Sequence, residues 1–398
     1  MEKDSNQEKN YQIESPLSPD VSGRRGPGLP ARQAGVRPLL IGTSKGLVIA
    51  EVENETCRLA SLHFAGMPVA MVYVDEHTNT WWASLSHRHW GEKLHYSTNN
   101  GKTWNEAGLP SYANQLYRPG KPAVLKKIWT MHHAGHDKPG CLWLGTEPGG
   151  LFFSSDNGKS FQLVEGLWNH PSRLDDTQWF GAGKDYPFLH SIVVDPRDSN
   201  HAYVGVSCAG VFETRDGGKT WQAKNNGLIA AYLPNPKPEV GHDPHRILLC
   251  PSNPDVMWQQ NHCGIFKTVN GGETWEEVSG QFGFPKYGFA LAIDEVNPDC
   301  AWVIPAQSDE RRIPVDLKLS VCQTTDGGQI WTSTSKGLPS SFSFDLVLRH
   351  GFVKKENTLA FGTNNGNLYL SFDNGQSWKR ISENLAGVNC LAWVGAHE

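Results

Sequence analysis

One eight-residue phrase occurs six times in this chain of 398 residues and constrains the fold more than any other feature. Its clearest copy is Thr214-Arg-Asp216-Gly-Gly218-Lys-Thr220-Trp221. The copies begin at residues 97, 154, 214, 268, 324 and 371, which gives spacings of 57, 60, 54, 56 and 47 residues. A unit of this length cannot bury its own apolar faces and must stack on copies of itself. The chain is therefore predicted to be a repeat protein built from blade-sized units.

The phrase predicts a tight hairpin turn. The carboxylate of Asp216 can accept backbone N–H bonds within the turn, and Gly218 can adopt a positive φ. Trp221 then opens the next strand with a large apolar side chain to bury. Ile330 replaces the usual Ser or Thr in one copy, so that copy is expected to lack one hydroxyl hydrogen bond.

The six copies resemble the Asp-box, or BNR, repeat of sialidases, xyloglucanases, sortilin-type receptors and photosystem II assembly factors. The resemblance covers about residues 37 to 395 and implies a β-propeller. In those families the box lies away from the catalytic centres. It therefore indicates the fold and leaves the activity open.

We predict an all-β fold, a seven-bladed β-propeller of four-stranded blades. The 15 tryptophans and 41 glycines suit many short strands with tight turns, and no long stretch has an apolar period of 3.6 residues. Six blades each carry a box. Blade one is expected to combine residues 38–64 with the C-terminal strand Val388–Val394, which closes the ring and removes an exposed edge.

The domain prediction is a disordered tail at residues 1–36, followed by one propeller at residues 37–398. The tail is rich in Pro, Gly, Ser and charge, and cannot bury enough apolar surface to order itself.

Composition narrows the partners and the compartment. The net charge is −5 and no basic run contains interleaved aromatic residues, so nucleic-acid binding is not expected. The charged start of the chain lacks the apolar core of a secretory signal, and no segment is long and apolar enough to cross a bilayer. We therefore expect a cytoplasmic protein without membrane contact. The eight cysteines are scattered singly, without the paired spacing of zinc sites or disulfides, and most are expected to be free thiols.

Antiparallel strand order sorts the loops onto two faces of the ring. The box turns and the loops from first to second strand share one face, the box face. The second-to-third loops and the connections between blades share the other, the loop face, which carries long segments such as Leu167–Phe188. Such insertions are where a propeller usually builds its site. His132-His133-Ala-Gly-His136 falls on the box face and is given little weight as a ligand motif.

Histidines concentrate on the loop face and suggest a metal site. His190 and His245 stand at the start of the innermost strands of adjacent blades, and His262 lies in a second-to-third turn. Neutral imidazoles with a carboxylate suit a divalent transition metal at the mouth of the channel. Polysaccharide lyases of the oligogalacturonate type, seven-bladed propellers with a histidine-based metal site, provide an analogy. The alternative is that these rings bond loop backbone and line a wet channel.

Catalysis by acidic residues is also open. Glycoside hydrolysis needs two carboxylates roughly 5–10 Å apart, and the sequence does not show which ones pair. The carboxylates expected on the loop face are Glu147, Asp175, Asp176, Asp185, Asp243, Asp309 and Glu310. Asp243 in His242-Asp-Pro-His245 and Glu147 in a turn of blade three are the preferred candidates. Arg312 could clamp an anion, although a solvated arginine is the alternative. Arg312-Ile-Pro314 resembles a sialidase context, but it lies in blade six rather than blade one, and seven blades depart from the six of sialidases.

The remaining candidates, for ligand contact, are His87, His89, Tyr186 and Trp179. Rings on a loop rim could stack on a sugar, anchor a peptide, or pack the loops onto the scaffold. Two functions remain open. The first is glycosyl-hydrolase-like action at the channel mouth on a carbohydrate or another polar small molecule. The second is a non-catalytic propeller that binds a protein partner.

Overall fold

The structure, a computed structural model, describes residues 35–175, 177–181 and 183–395. These residues form seven antiparallel four-stranded sheets and one two-stranded hairpin. The innermost strands of neighbouring sheets contact one another around a closed ring. The predicted all-β, seven-bladed propeller is therefore confirmed. Of the predicted tail at residues 1–36, residues 1–34 lie outside the described residues.

Blade one joins the two ends of the ring. From the inside outward its strands are Val388–Trp393, Arg37–Thr43, Gly46–Glu53 and Thr56–His63. The C-terminal strand pairs antiparallel with the second strand, with Leu391 opposite Ile41. The predicted closure by the C-terminal strand is confirmed, and pairing the two ends of the ring leaves no open seam there.

The other six blades run along the chain from the innermost strand to the outermost. Blade two consists of Val69–Asp75, Thr80–His87, Gly91–Ser97 and Asn105–Glu106. Blade three consists of Lys127–His133, Leu142–Glu147, Leu151–Ser154 and Gln162–Leu163. Blade four consists of Leu189–Val194, Ala202–Val206, Gly210–Thr214 and Gln222–Ala223.

The last three blades follow the same order. Blade five consists of Pro244–Leu249, Met257–Asn261, Gly264–Thr268 and Glu276–Glu277. Blade six consists of Gly288–Ile293, Ala301–Pro305, Val321–Thr324 and Thr332–Thr334. Blade seven consists of Phe352–Lys355, Thr358–Gly362, Leu368–Ser371 and Lys379–Ser382.

Short elements occupy the connections and the blade-six insertion. They are the hairpin Leu116–Arg118 with Lys121–Pro122, the α-helix Glu165–Trp168, and the 3₁₀ helices Pro171–Leu174, Gln281–Gly283 and Val315–Leu317. Across the described ranges, every helix is too short or too polar to span a bilayer.

The box forms the turn that its residues predict. The Asp216 carboxylate accepts a hydrogen bond from the Thr220 amide at 2.9 Å and from the Thr220 hydroxyl at 2.6 Å, and Gly218 has a φ of 91°. In the copy with Ile330, the amide bond to Asp326 is kept at 3.0 Å, while the isoleucine side chain has no hydroxyl to donate.

The glycine of the box also sets the packing between blades. A Cβ atom on Gly218 would lie 2.8 Å from the ring of Trp143 in blade three, and one on Gly158 would lie 2.3 Å from Trp82 in blade two. Both rings are buried on the second strand of the preceding blade. The box turn of one blade therefore presses on an aromatic ring of its neighbour, and only glycine leaves room for that ring.

Candidate functional site

A pocket of about 340 Å³ lies on the loop face. Its lining side chains come from the second-to-third turns and inner strands of blades four to six and from the connections between blades. They include Lys184, Phe188, Cys208, Tyr232, Asp243, His245, His262, Phe289, Asp309, Arg312 and Arg349. Five residues singled out from the sequence thus share one pocket: Asp243, His245, His262, Asp309 and Arg312.

Asp243 is positioned by the turn of the preceding blade. The connection into blade five runs beside the second-to-third turn of blade four, where the Gly241 amide donates to the Ala209 carbonyl at 2.8 Å. Oδ1 of Asp243 then accepts from the Ser207 hydroxyl at 2.6 Å and from the Cys208 amide at 3.3 Å. With both donors on Oδ1, the second oxygen, Oδ2, is left to face the histidines.

Two imidazole rings approach Oδ2 of Asp243. His245, near the start of the inner strand of blade five, has its Nε2 3.3 Å from this oxygen. His262 is held in the second-to-third turn because its amide donates to the Asp243 carbonyl at 2.9 Å, and its Nδ1 lies 3.4 Å from Oδ2. Asp243 and His245 are 2% and 1% exposed, whereas His262 is half-buried. The three ligand atoms all lie within 4.8 Å of one another.

The hydrogen bonds of His245 determine which ring nitrogen carries the proton. Nδ1 lies 2.6 Å from the carbonyl oxygen of Gly288, which can only accept, so Nδ1 is protonated. Burial lowers the pKa of His245, whereas nearby Asp243 raises it. Burial opposes ionisation of Asp243, but His245, His262 and Arg349 outweigh it and hold the pKa of Asp243 well below its ordinary value. An ionised carboxylate therefore faces Nε2 of His245.

A carboxylate oxygen and a ring nitrogen at this distance are joined by a proton on the nitrogen, by a bridging water molecule or by a bound cation. Zinc bonds to imidazole nitrogen and carboxylate oxygen are about 2.0–2.1 Å long, which places neighbouring ligand atoms of a tetrahedral site about 3.3 Å apart. The separations of 3.3 and 3.4 Å match that spacing. The supporting bonds are also typical of metal ligands, because His245 donates its other N–H to a carbonyl and Asp243 Oδ1 is hydrogen-bonded. The group can hold a divalent ion or a bridging water molecule.

Arg349 provides a cation at the same pocket. Its guanidinium carbon lies 5.0 Å from the ring centre of Phe188 and 5.2 Å from that of Phe289. Its buried Nε has no hydrogen-bond partner among the described residues. Burial lowers the pKa of Arg349, but a guanidinium remains protonated at neutral pH. The two rings hold a positive charge that is available to an anionic ligand.

The other cations of the pocket already have carboxylate partners. Arg312 donates to Asp309, with Nε 3.1 Å from Oδ1, and Lys184 pairs with Glu147 at 3.1 Å. Glu147 is not among the lining residues. The carboxylates that share the cavity are therefore Asp243 and Asp309. Glu147 lies outside the lining and pairs with Lys184.

His190 lies apart from the histidines of the pocket and lines a central cavity of about 360 Å³. His190 and His245 occupy equivalent irregular positions of their inner strands, where the pairing register shifts. Each ring bonds a carbonyl of the next blade: His190 approaches Pro244 through Nε2 at 2.7 Å, and His245 approaches Gly288 through Nδ1 at 2.6 Å. Since His245 uses Nδ1, its Nε2 faces the pocket. The Nε2 atom of His190 is occupied by the carbonyl.

The predicted ligand-contact residues also lie elsewhere. Trp179 is buried in the core, and Tyr186 packs edge-on against a neighbouring tyrosine with ring centres 4.7 Å apart. His87 accepts the amides of His89 and Trp90 at 3.1 and 3.2 Å within its own turn. None of these predicted residues is part of the pocket lining.

The sequence reasoning missed Arg349, Lys184 and Phe289. Phe289 occupies the irregular position of blade six that corresponds to His190 and His245, so a blade-by-blade comparison could have found it. Arg349 precedes the inner strand of blade seven but belongs to no motif. Only the folded ring brings it to the pocket of Asp243, which lies more than one blade away in the chain.

Comparisons with known proteins show which repeat family and which relatives this chain resembles. Residues 95–106 match the BNR/Asp-box repeat. The chain is 25% identical over 223 residues to an oligoxyloglucan-reducing end-specific xyloglucanase of Emericella nidulans, covering 49% of this chain and 26% of that protein. A xyloglucanase of Acetivibrio thermocellus is 24% identical over 257 residues, covering 59% of this chain and 28% of that one. The chain thus spans less than a third of the length of these relatives.

Solved structures share the fold at low sequence identity. A Bacteroides fragilis protein provisionally assigned as a 6-phosphogluconolactonase has a TM-score of 0.54 at 11% identity, over 92% of this chain and 100% of that one. The YCF48 protein of Cyanidioschyzon merolae has a TM-score of 0.50 at 12% identity, over 80% of this chain and 87% of that one. At these sequence identities, structural similarity shows that the fold is shared and carries no argument about activity. The resemblance predicted from the boxes is confirmed: the chain is a propeller with BNR/Asp-box repeats, similar in sequence to xyloglucanases.

Proposed function

We propose that this pocket is the functional site of a glycosyl-hydrolase-like propeller that acts on a carbohydrate, or another small polar molecule, bearing a carboxylate or phosphate group. In this proposal Asp243, His245 and His262 hold a divalent metal ion. The observation that carries it is that Nε2 of His245 and Nδ1 of His262 approach the same oxygen, Oδ2 of Asp243, at 3.3 and 3.4 Å. A shared cation would bind all three atoms.

The residues of the pocket would take different roles in the reaction. Three protein ligands would leave positions open toward the cavity, as in catalytic rather than structural zinc sites. A metal ion there would supply Lewis acid chemistry or an activated water. Burial opposes ionisation of Asp309, but Arg312 outweighs it and lowers the pKa of Asp309, so this carboxylate would remain ionised beside the metal ligands.

The ligand class follows from the relatives and from the charge of the pocket. Relatives named as xyloglucanases support a carbohydrate, although the matches cover less than a third of their length. Arg349 narrows the class, since its guanidinium is held between two rings without an acceptor for Nε. A carboxylate or phosphate group on the ligand would supply that acceptor.

Elemental analysis of the purified protein tests the metal. We expect the metal content to fall by one equivalent per chain in Asp243→Asn and in His262→Ala. His170→Ala is the matched control, because His170 is also half-buried on the loop face but lies outside the pocket. Equal metal content in wild type, Asp243→Asn and His262→Ala would overturn the metal site and leave a water molecule as the bridging group.

A substrate panel tests the ligand class. Neutral and uronate-bearing oligosaccharides are incubated with metal-loaded and chelator-treated protein, and new reducing ends are measured. We expect turnover of uronate-bearing substrates by the metal-loaded form, reduced about 100-fold in Arg349→Met because a buried charge pair is lost. Turnover of neutral substrates that is unchanged in Arg349→Met would contradict recognition of an anion.

Binding of a protein partner is the second candidate, and it is favoured by two exposed aromatic side chains. Phe282 and Phe342 lie on connections between blades of the loop face and are 105% and 80% exposed. Such rings are typical anchors of an interface. A crosslinked complex that forms with wild type but not with the Phe282→Ala, Phe342→Ala double variant would favour this function. Identical crosslinking in both would count against it.

A further inference from the structure

Three histidines from two neighbouring blades meet on the box face, opposite the pocket. His77 lies in the first-to-second loop of blade two. His133 ends the inner strand of blade three, and His136 follows in the loop after it. The sequence showed the pair on blade three but not its neighbour on blade two, which is 56 positions earlier than His133.

The rings are close enough to share one ion. The ring centre of His77 lies 4.6 Å from that of His133 and 4.5 Å from that of His136, and those two are 5.2 Å apart. One nitrogen of each ring lies within 4.8 Å of the others. In a tetrahedral zinc site such nitrogens are about 3.3 Å apart. His77 and His136 are exposed, so rotation of their side chains can close the difference without moving the core.

The loops that carry the rings are fixed across the blade boundary. The His133 amide donates to the hydroxyl of Tyr73 in blade two at 2.8 Å, and the His77 amide donates to the buried carboxylate of Asp75 at 3.1 Å. The Gly135 amide donates to Nδ1 of His133 at 3.1 Å. A metal ion on either nitrogen of His133 would break this last bond, since Nδ1 must then bind the ion or carry the proton.

We propose that His77, His133 and His136 bind one divalent transition ion of the zinc class between blades two and three. The donor set supports this class, because imidazole suits zinc, copper and nickel, whereas calcium and magnesium prefer oxygen. The site joins two blades whose loops are otherwise linked through Tyr73, so a bound ion stabilises the boundary between them. It uses no residue of the pocket and is independent of the proposed function.

Zinc titration of the metal-free full-length protein in an Asp243→Asn background tests the site, because that substitution disables the ligand group of the pocket. We expect one equivalent of Zn²⁺ to bind in this background and to raise the melting temperature. His77→Ala or His136→Ala added to this background weakens binding by ~10-fold or more. His89→Ala is the matched control, since His89 is exposed on the loop face and belongs to neither group.

Each outcome decides the proposal. Binding that is lost in His77→Ala and in His136→Ala but kept in His89→Ala supports it. Cobalt(II) in place of zinc then gives the absorption of a nitrogen-ligated ion, and the Gly135 amide loses protection from hydrogen exchange. The absence of binding in the Asp243→Asn background, or binding indifferent to both histidine variants, overturns it. Failure of the pocket metal would show instead as equal stoichiometry in wild type and Asp243→Asn.

Discussion

The two histidine groups lie on opposite faces of the ring and differ in what surrounds them. On the loop face, Asp243 and His245 are almost fully buried, and a carboxylate oxygen meets two rings. On the box face, His77 and His136 are exposed, and the ligand group contains imidazole alone. The first group borders a pocket with three cationic side chains. The second joins two loops of adjacent blades.

The difference separates a site suited to chemistry from one suited to holding blades together. A buried carboxylate that faces two imidazole rings can bind an ion away from solvent, and the neighbouring cations attract an anionic ligand. Exposed imidazoles are hydrogen-bonded by solvent and gain less from an ion. Metal binding should therefore matter more to the loop-face group, and the following experiments test that ranking.

The largest effect is expected from truncating the buried ring. His245→Ala removes a side chain stacked on Phe289 with ring centres 4.6 Å apart and bonded to the Gly288 carbonyl. We expect a loss of about 3 kcal/mol in the free energy of unfolding. The exposed His136 should lose less than about 0.5 kcal/mol on the same change. Urea denaturation in the presence of a chelator measures both losses. Equal losses for His245→Ala and His136→Ala would contradict the expected difference between the two histidine groups.

The next effect concerns the affinity for metal. Asp243→Asn keeps the shape of the side chain but removes the anionic ligand, so zinc affinity at the pocket should fall about 100-fold. His77→Ala should leave that affinity unchanged, because it lies on the other face. Isothermal titration with zinc separates the two groups. If the zinc affinity of the pocket changed in His77→Ala, ion binding on the two faces would not be independent.

A smaller effect is expected from pH, and histidines outside both ligand groups contribute to it. Burial lowers the pKa of His350 in the central channel well below 6.5, and burial also lowers that of His63 in blade one. Below pH 6.5 the unfolded chain takes up protons that the folded protein cannot, so stability is full above this pH and falls as the pH decreases. The slope is at most about 1.4 kcal/mol per pH unit for each histidine.

Urea denaturation of the metal-free protein between about pH 7 and pH 5 checks this slope. His350→Asn should flatten it, whereas His89→Ala, which removes an exposed ring, should not. A free energy of unfolding that rises as the pH falls would contradict the lowered pKa values of His350 and His63.

The smallest effect concerns the scaffold of the box face. Asp216→Ala removes the acceptor of the Thr220 amide and hydroxyl and should cost about 1 kcal/mol. Asp326→Ala should cost less, because Ile330 offers only its amide. Thermal unfolding of the two variants gives the difference. Equal costs would mean that the hydroxyl adds nothing to the turn.

Part of the candidate site was visible in the sequence for a local reason. Asp243 and His245 are separated by one proline, and the start of an inner strand at Pro244 sets their relation. His190 and His245 were both predicted as metal ligands because they occupy equivalent positions in the repeat. Both rings lie against a carbonyl of the next blade, but the choice of ring nitrogen depends on which carbonyl lies opposite. The chemical roles of these residues stay predictions.

The sequence by itself determined the repeat, the number of blades and the division of loops between two faces. A turn such as Thr214–Trp221 is fixed by contacts within eight residues, so its residues carry their own geometry. Only the tertiary structure decided which side chains meet. Arg349 reaches Asp243, and His77 reaches His136, across blade boundaries that no local pattern records. The physical reason is that ring closure and side-chain direction bring together segments distant in the chain, and these depend on the packing of the whole ring.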